Sequence, residues 1–284
     1  MIAFLGTGLL GANFVRALQS RGETVHVWNR TASKAQALEQ YGAKAFDDPA
    51  DAVRGADRVH ITLVDDAGVN DVLERARSGL AQDVIIVDHT TTSPVGTKER
   101  VQRWAARGIR FQHAPVFMGP PQALSATGVM LASGEQALFE ALKPHLEQMT
   151  GNLVYLGADP ARAAAMKLMG NHYLIVLNTA IADTVSLAKG LGVPQEEVAH
   201  LFEFFNPTTM VQGRLNRLLT VDYADPSWTL AMARKDVRLM LEGADAGHAS
   251  LLAVPAIAAK MDEWIAKGNS SDDWTVITKD QLRG

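Results

Sequence analysis

Lys167 and Asn171 form a pair whose residue types and spacing suit proton transfer to a bound molecule. They lie four residues apart in a stretch rich in Ala, Leu and Met, so on a helix both side chains point from one face. A lysine buried there loses its proton more easily than one in water, which suits a general acid and base for a carbonyl and alcohol pair near neutral pH. The alternative is a solvated lysine at a helix edge, beside an asparagine that bonds within the core.

Gly6, Gly8 and Gly11 form a GxGxxG motif near the start of the chain. The motif follows an apolar run that predicts a strand, opens a helical pattern and lies in a βαβ unit of about 30 residues, the context of a dinucleotide site. There the first glycine permits a tight turn, the second lets the diphosphate approach and the third lets helix and sheet pack closely. Free N–H groups at the helix start, where Leu9 and Leu10 lie, then hold the phosphates. A purely structural turn is the alternative.

The residues after the predicted second strand indicate which dinucleotide binds. NAD enzymes usually have an acidic residue there that accepts the ribose hydroxyls. This chain instead has Asn29, Arg30 and Thr31, followed by Ser33 and Lys34. Arg30 can pair with a 2′-phosphate that an acid would repel, and the polar neighbours can donate hydrogen bonds to it. These residues predict NADP, with a polar turn and a solvated arginine as the alternative.

Strand and helix patterns alternate over the first half of the chain. Because alternation of this kind is typical of a largely parallel sheet covered on both faces, it predicts a doubly wound α/β domain of the Rossmann type over residues 1–158. Predicted strands cover 2–5, 24–28, 59–64, 84–88, 109–116, 129–132 and 153–156, and predicted helices lie around 33–40, 68–77, 94–107 and 135–149.

The second half, residues 159–284, is predicted to be an all-helical domain for substrate binding and dimerisation. Residues 161–189 predict one long interdomain helix of roughly 40 Å, from a rise of 1.5 Å per residue. Because this helix is so apolar, other structure must pack on several of its sides. That structure is supplied either by later helices, predicted near 195–205, 227–243 and 249–267, or by a second subunit. We therefore expect a homodimer through this domain.

Composition excludes several classes of function. The 27 basic and 31 acidic residues give a net charge of −4, so no general cationic field favours nucleic acid or an anionic membrane. The chain has no Cys and no apolar run long enough for a membrane helix, which favours a cytoplasmic protein with a small-molecule substrate. His89, His113 and His172 lack the spacing of a metal site, and hydride transfer needs no metal, so we expect none.

Several motifs, taken in order, resemble the β-hydroxyacid dehydrogenase family, relatives of 6-phosphogluconate dehydrogenase, over essentially the whole chain. FLGTGLLG at 4–11 resembles the family's FxGLGxMG, and WNRT at 28–31 resembles its NADP-type second strand. DHTTTSP at 88–94 resembles DxSTxxP, KLMGN at 167–171 resembles KxxxN, and Lys235-Asp236 resembles a C-terminal KD pair.

This resemblance implies roles for individual residues. Lys167 is the catalytic lysine and Asn171 binds substrate. Further cofactor contacts are expected at Val64, Thr92 and Lys235, and further substrate contacts at Ser93, with Thr91 nearby, and at Val116, Phe117, Met118 and Gly119. Trp228, Met232 and Asp236 recur at helical spacing and either line the cleft or simply pack.

One segment departs from the family. The substrate loop DAPVSGG reads HAPVFMG at 113–119, so Phe117 and Met118 replace a Ser-Gly pair that holds a substrate carboxylate. Pro120-Pro121 resembles the imine reductases, a sister family that typically has Asp or Tyr where this chain has Lys167. The lysine favours carbonyl chemistry. We therefore predict an NADP-dependent oxidoreductase that interconverts a small aldehyde, semialdehyde or keto acid and its alcohol, with imine reduction and non-catalytic NADP sensing as the alternatives.

Overall fold

The computed structural model describes residues 1–283, which divide into two compact units, Met1–His172 and the residues from Tyr173 onward. All strands of the described chain lie in the first unit. They are β1 (Ile2–Leu5), β2 (Val25–Trp28), β3 (Lys44–Phe46), β4 (Arg58–Ile61), β5 (Ile85–Asp88), β6 (Arg110–His113), β7 (Val116–Phe117), β8 (Val129–Ala132) and β9 (Asn152–Tyr155).

The helices of the first unit alternate with these strands. They are α1 (Leu9–Ser20), α2 (Ala32–Gln36), α3 (Pro49–Val53), α4 (Asp66–Ala76), α5 (Pro94–Ala105), α6 (Pro120–Ser125) and α7 (Gln136–Leu146). The long helix α8 (Arg162–Gly190) runs through the division between the units, and the predicted domain boundary near 158 stays a prediction. The second unit continues with α9 (Glu196–Phe204), α10 (Val211–Thr220), α11 (Leu230–Ala246), α12 (Val254–Ala266) and α13 (Lys279–Arg283).

Six parallel strands form the main sheet in the order β3-β2-β1-β4-β5-β6. Side chains of β1 alternate between two apolar cores, with Ile2 and Phe4 in one and Ala3 and Leu5 in the other, because successive residues of a strand face opposite ways. Helices therefore cover both faces of the sheet, and the predicted Rossmann-type fold is confirmed. The strand order reverses between β1 and β4, where α/β folds of this kind bind ligands.

A second sheet of three strands was not predicted. The interpretation of 109–116 as one strand is wrong, since the chain leaves the main sheet after His113 and resumes as β7, which pairs antiparallel with β8. Pro115 lies at the break, and a proline has no N–H for a central ladder. Strand β8 also pairs in parallel with β9. This small sheet fixes the backbone of Phe117, which pairs with Val129.

The second unit is all helical over its described residues, as predicted. Its core contains Leu230, Met261 and Trp264. Thr229 caps α11 by accepting a hydrogen bond from the Met232 N–H at 3.4 Å, so the helix begins later than the predicted 227. No helix of the described chain is long and apolar enough to cross a membrane.

Candidate active site

The glycine turn after β1 is built for close backbone approach. Gly6 has a φ of +96°, and a Cβ added to it would lie 2.1 Å from the carbonyl oxygen of Thr62. A Cβ on Gly11 would lie 2.0 Å from the Gly6 carbonyl oxygen. A Cβ on Gly8 would meet nothing within 4 Å, so this glycine faces open space.

Helix α1 starts at this turn with no side-chain cap. Its first N–H groups therefore remain available beside the open space at Gly8, which is the arrangement that binds a diphosphate. Leu9 and Val64, both predicted cofactor contacts, are 81% and 80% exposed although they are apolar. Leu10 and Thr91 line the same space beside Gly8. These residues fit a dinucleotide.

A cleft of about 600 Å³ extends from the glycine turn to the end of β2 and is lined by Arg30, Thr31 and Lys34. Asn29 also lines this cleft, and its predicted contact with the cofactor stays a prediction. Its Oδ1 accepts a hydrogen bond from the Thr7 N–H at 3.0 Å, and its Nδ2 donates to the Thr31 carbonyl at 3.0 Å. Asn29 thus ties the end of β2 to the glycine turn.

Arg75 is a cation of this cleft that sequence reasoning missed. It lies on α4 and its guanidinium stands 5.1 Å from the centre of the Trp28 ring. The same cleft contains the carboxylates of Asp65 and Asp71, and Asp71 lies 3.9 Å from Arg75. No motif links α4 to β2, so only the fold brings these residues together.

Lys167 and Asn171 share one face of α8, as their spacing predicts. The Lys167 Nζ donates to Asn171 Oδ1 at 2.9 Å. It also lies 4.3 Å from the centre of the Phe117 ring. Lys167 is only 9% exposed, and burial lowers the pKa of its amine. A buried lysine with a lowered pKa can exchange a proton near neutral pH.

The loop that departs from the family has little left with which to hold a carboxylate. The Gly119 N–H donates to Gln122 Oε1 at 2.6 Å. Val116 is buried, and the ring of Phe117 packs on Gly170, where an added Cβ would lie 2.3 Å from Cζ. Met118 lies against Gly128. The side chains at this point are therefore apolar.

Thr92 belongs to a buried network under the turn after β5, whereas Ser93 lies at the exposed start of α5. Thr92 Oγ1 lies 2.9 Å from Thr97 Oγ1 and 3.3 Å from His113 Nε2, in the interior. Ser93 caps α5 by accepting from the Gly96 N–H. Their roles as cofactor and substrate contacts stay predictions, but both hydroxyls already have protein partners.

Arg100 and Asp66 are further residues that the sequence did not single out. Arg100 is fully buried, and its guanidinium contacts Asp66 Oδ1 at 2.8 Å. Asp66 Oδ2 accepts from the Ser93 N–H at 2.9 Å. This chain of contacts fixes the turn at 90–93, on which Thr91 lines the space beside Gly8.

The remaining predicted residues lie in the second unit. Lys235 Nζ pairs with Asp236 Oδ1 at 2.7 Å on α11. Met232 is exposed on the same helix, whereas Trp228 precedes the helix and its ring lies 5.7 Å from that of Trp274. Met232 and Asp236 therefore lie on α11, but Trp228 does not, so the three residues do not form one face of a helix.

The buried His60 and His89 form a hydrogen-bonded pair. His89 Nδ1 lies 2.7 Å from the Ala114 carbonyl oxygen, so it carries the proton, and His89 Nε2 accepts from His60 Nδ1 at 2.9 Å. Burial lowers the pKa of His89 to about 4 and that of His60 well below its usual value. Within residues 1–283 no group of three or more His, Asp or Glu side chains is arranged to hold a metal ion.

Comparison with known proteins identifies the family. Residues 1–157 match the model of the NAD binding domain of 6-phosphogluconate dehydrogenase. The chain belongs to this family. As the sequence motifs predicted, it is an NAD(P)-dependent oxidoreductase of the β-hydroxyacid dehydrogenase type.

Two curated relatives match this family member over nearly its whole length. The 3-sulfolactaldehyde reductase of Escherichia coli (strain K12) is 25% identical over 284 residues, which cover 97% of this chain and 94% of the relative. The mitochondrial 3-hydroxyisobutyrate dehydrogenase of Drosophila melanogaster is 28% identical over 291 residues, covering 97% and 87%. Among solved structures, the imine reductase from Myxococcus stipitatus in complex with NADP⁺ has the same fold, with a TM-score of 0.86, 22% identity and coverage of 98% and 99%.

Proposed function

We propose that this protein is an NADP-dependent reductase of small, weakly polar carbonyl compounds, with Lys167 as proton donor. The observation that carries the proposal is the buried Lys167, hydrogen-bonded to Asn171 and covered by Phe117. NADPH, held at the glycine turn and the end of β2, would supply the hydride for the carbonyl carbon. The Lys167 ammonium gives its proton to the carbonyl oxygen, and Asn171 orients the ammonium by accepting a hydrogen bond from it. Oxidation of the alcohol is the reverse.

The preference for NADP rests on charge at the end of β2. Arg30 is exposed and forms no ion pair among the described residues, so its guanidinium is free to bind a 2′-phosphate. Lys34 and Arg75 add positive charge to the same cleft, against Asp65 and Asp71. The position of the acid in NAD enzymes is occupied by Asn29, which carries no charge.

The substrate class rests on the loop at 116–119. Phe117 and Met118 have no hydrogen-bond donor in their side chains, and the Gly119 N–H is already bonded to Gln122. A compact hydroxyacid would find no side-chain donor for its carboxylate in this loop, and a buried charge with too few hydrogen bonds is costly. Apolar aldehydes and ketones avoid that cost.

Imine reduction is the second candidate, because the same apolar loop suits a neutral cyclic imine. The two candidates differ in the proton donor, and a lysine favours the carbonyl reaction. NADPH consumption measured over aldehydes, keto acids and cyclic imines, together with NADP⁺ reduction measured over the matching alcohols and short hydroxyacids, separates them. We expect the highest kcat/KM with apolar carbonyls. Highest turnover with 3-hydroxypropionate or with imines would contradict the proposed substrate class, and no turnover with any of them would favour a sensor.

We further propose a homodimer assembled through α8. Met169, Leu174 and Ile175 are exposed on this helix in the single chain. The Asn178 Nδ2 and the Thr179 Oγ1 donate to carbonyls four residues earlier on their own helix, so these two donors have partners within the helix. Such a surface gains stability when a second copy covers it. Light scattering at micromolar concentration should give twice the chain mass, and a monomer would contradict this.

A further inference from the structure

The ammonium of Lys167 has an unusual set of neighbours. Its Nζ contacts Asn171 Oδ1 and the face of the Phe117 ring. Over the described residues no Asp or Glu forms an ion pair with Lys167, and burial is the one cause that lowers the pKa of its amine. The positive charge is thus desolvated without a carboxylate to offset the loss.

The Phe117 ring is held against Lys167 from two sides. Its backbone is paired in β7, and a Cβ on the adjacent Gly128 would lie 3.0 Å from the Phe117 carbonyl oxygen. Its ring packs on Gly170, which lies between Lys167 and Asn171 on α8. A Cβ there would lie 2.3 Å from Cζ and 2.6 Å from Cε1, so any larger residue displaces the ring. The glycine at 170 and the phenylalanine at 117 therefore act as one unit.

We propose that Phe117 is a positioning residue that keeps Lys167 in its protonated, proton-donating form by holding the ammonium against the ring face. The proposal rests on the proposed role of Lys167 as proton donor. An aromatic ring attracts a cation through its negative face, and the attraction strengthens where water is excluded. In the reaction an N–H bond of the ammonium breaks and an O–H bond forms on the substrate. The neutral amine then regains a proton from solvent, and the ring favours that return.

Two variants remove the ring face without touching Lys167. Phe117→Leu keeps an apolar side chain but has no π-face, and Gly170→Ala displaces the ring while both partners remain. Phe117→Tyr keeps the ring and serves as the matched control. The pH dependence of kcat for NADPH-driven reduction has an alkaline limb, because the ammonium is the active form. We expect that limb to move down by about one pH unit in Phe117→Leu and Gly170→Ala, and to stay in place in Phe117→Tyr.

A second measurement does not depend on turnover. NMR titration of the ¹³C-methylated Lys167 amine, assigned by its loss in Lys167→Met, should show the same fall of the pKa in Phe117→Leu without cofactor. An unchanged limb or amine titration in the two ring-removing variants, while Lys167→Met is inactive, would overturn this inference and leave the proposed function standing. Retained turnover in Lys167→Met would instead overturn the proposed function.

Discussion

The two halves of the active site are built in different ways. At the glycine turn the contacts are made by backbone, since a Cβ on Gly6 or Gly11 would meet carbonyl oxygens. At Lys167 they are made by side chains, since a Cβ on Gly170 would meet the Phe117 ring. A cofactor site made of backbone atoms leaves little freedom to change the cofactor by substitution. A site made of side chains can change its substrate through one or two replacements, and the proposed substrate class rests on two such replacements, Phe117 and Met118.

Adding a single methyl group should have its largest effect on cofactor binding at the glycine turn, the half of the site that is made of backbone. Gly8→Ala places a Cβ in the open space where the diphosphate is expected, with no protein atom to displace. We expect NADPH affinity to fall at least about a hundredfold, equivalent to losing two charge-assisted hydrogen bonds, with an unchanged melting temperature.

Gly213→Ala is the matched control, because its Cβ also meets nothing within 4 Å but lies on α10 in the other unit. Its NADPH affinity, measured by fluorescence titration, should equal that of the wild type. Undiminished affinity in Gly8→Ala would show that the diphosphate does not bind over this glycine.

Arg30→Ala tests the side-chain part of the cofactor cleft. Loss of one charge-assisted pair should weaken NADPH binding by about ten- to a hundredfold and leave NADH binding nearly unchanged. Calorimetric titration with both cofactors measures the two affinities. Arg54→Ala removes an exposed arginine that pairs with Asp51, outside the cofactor cleft, and should change neither. Equal affinity of the wild type for NADPH and NADH would remove the basis of the NADP proposal.

The smallest expected effect concerns stability rather than binding. His89 holds its proton poorly in the folded protein, with a pKa of about 4 against about 6.5 when unfolded. The unfolded state therefore gains protons first as the pH falls. The free energy of unfolding should drop by about 1.4 kcal/mol between pH 8 and 5.5 through this residue alone.

Urea denaturation across that pH range measures the drop. His60 and His113 add in the same direction, because burial lowers the pKa of both. His89→Asn should show a shallower pH dependence, whereas His200→Gln, at an exposed site, should behave like the wild type. A wild-type stability that is flat from pH 8 to 5.5 would contradict the neutral histidine pair.

The parts of this molecule that follow from local spacing were predictable from sequence. The βαβ unit, the glycine turn and the single face shared by Lys167 and Asn171 all depend on residues close together in the chain. The contact of Phe117 with Gly170 and the position of Arg75 over Trp28 join distant elements, so no local pattern contains them. Trp228 was assigned to α11 because periodicity does not reveal that Thr229 caps the helix.

Single-turnover reduction by Lys167→Met is the most direct test of the central claim, that a buried, ring-covered Lys167 supplies the proton. Methionine keeps an unbranched apolar stem but has no proton to give. The rate should fall by about 10²- to 10⁴-fold, the contribution of a positioned acid or base. NADPH affinity should not change, and Lys189→Met, at an exposed site on the same helix, should react like the wild type. A folded, NADPH-bound Lys167→Met that reduces its substrate at the wild-type rate would contradict the claim.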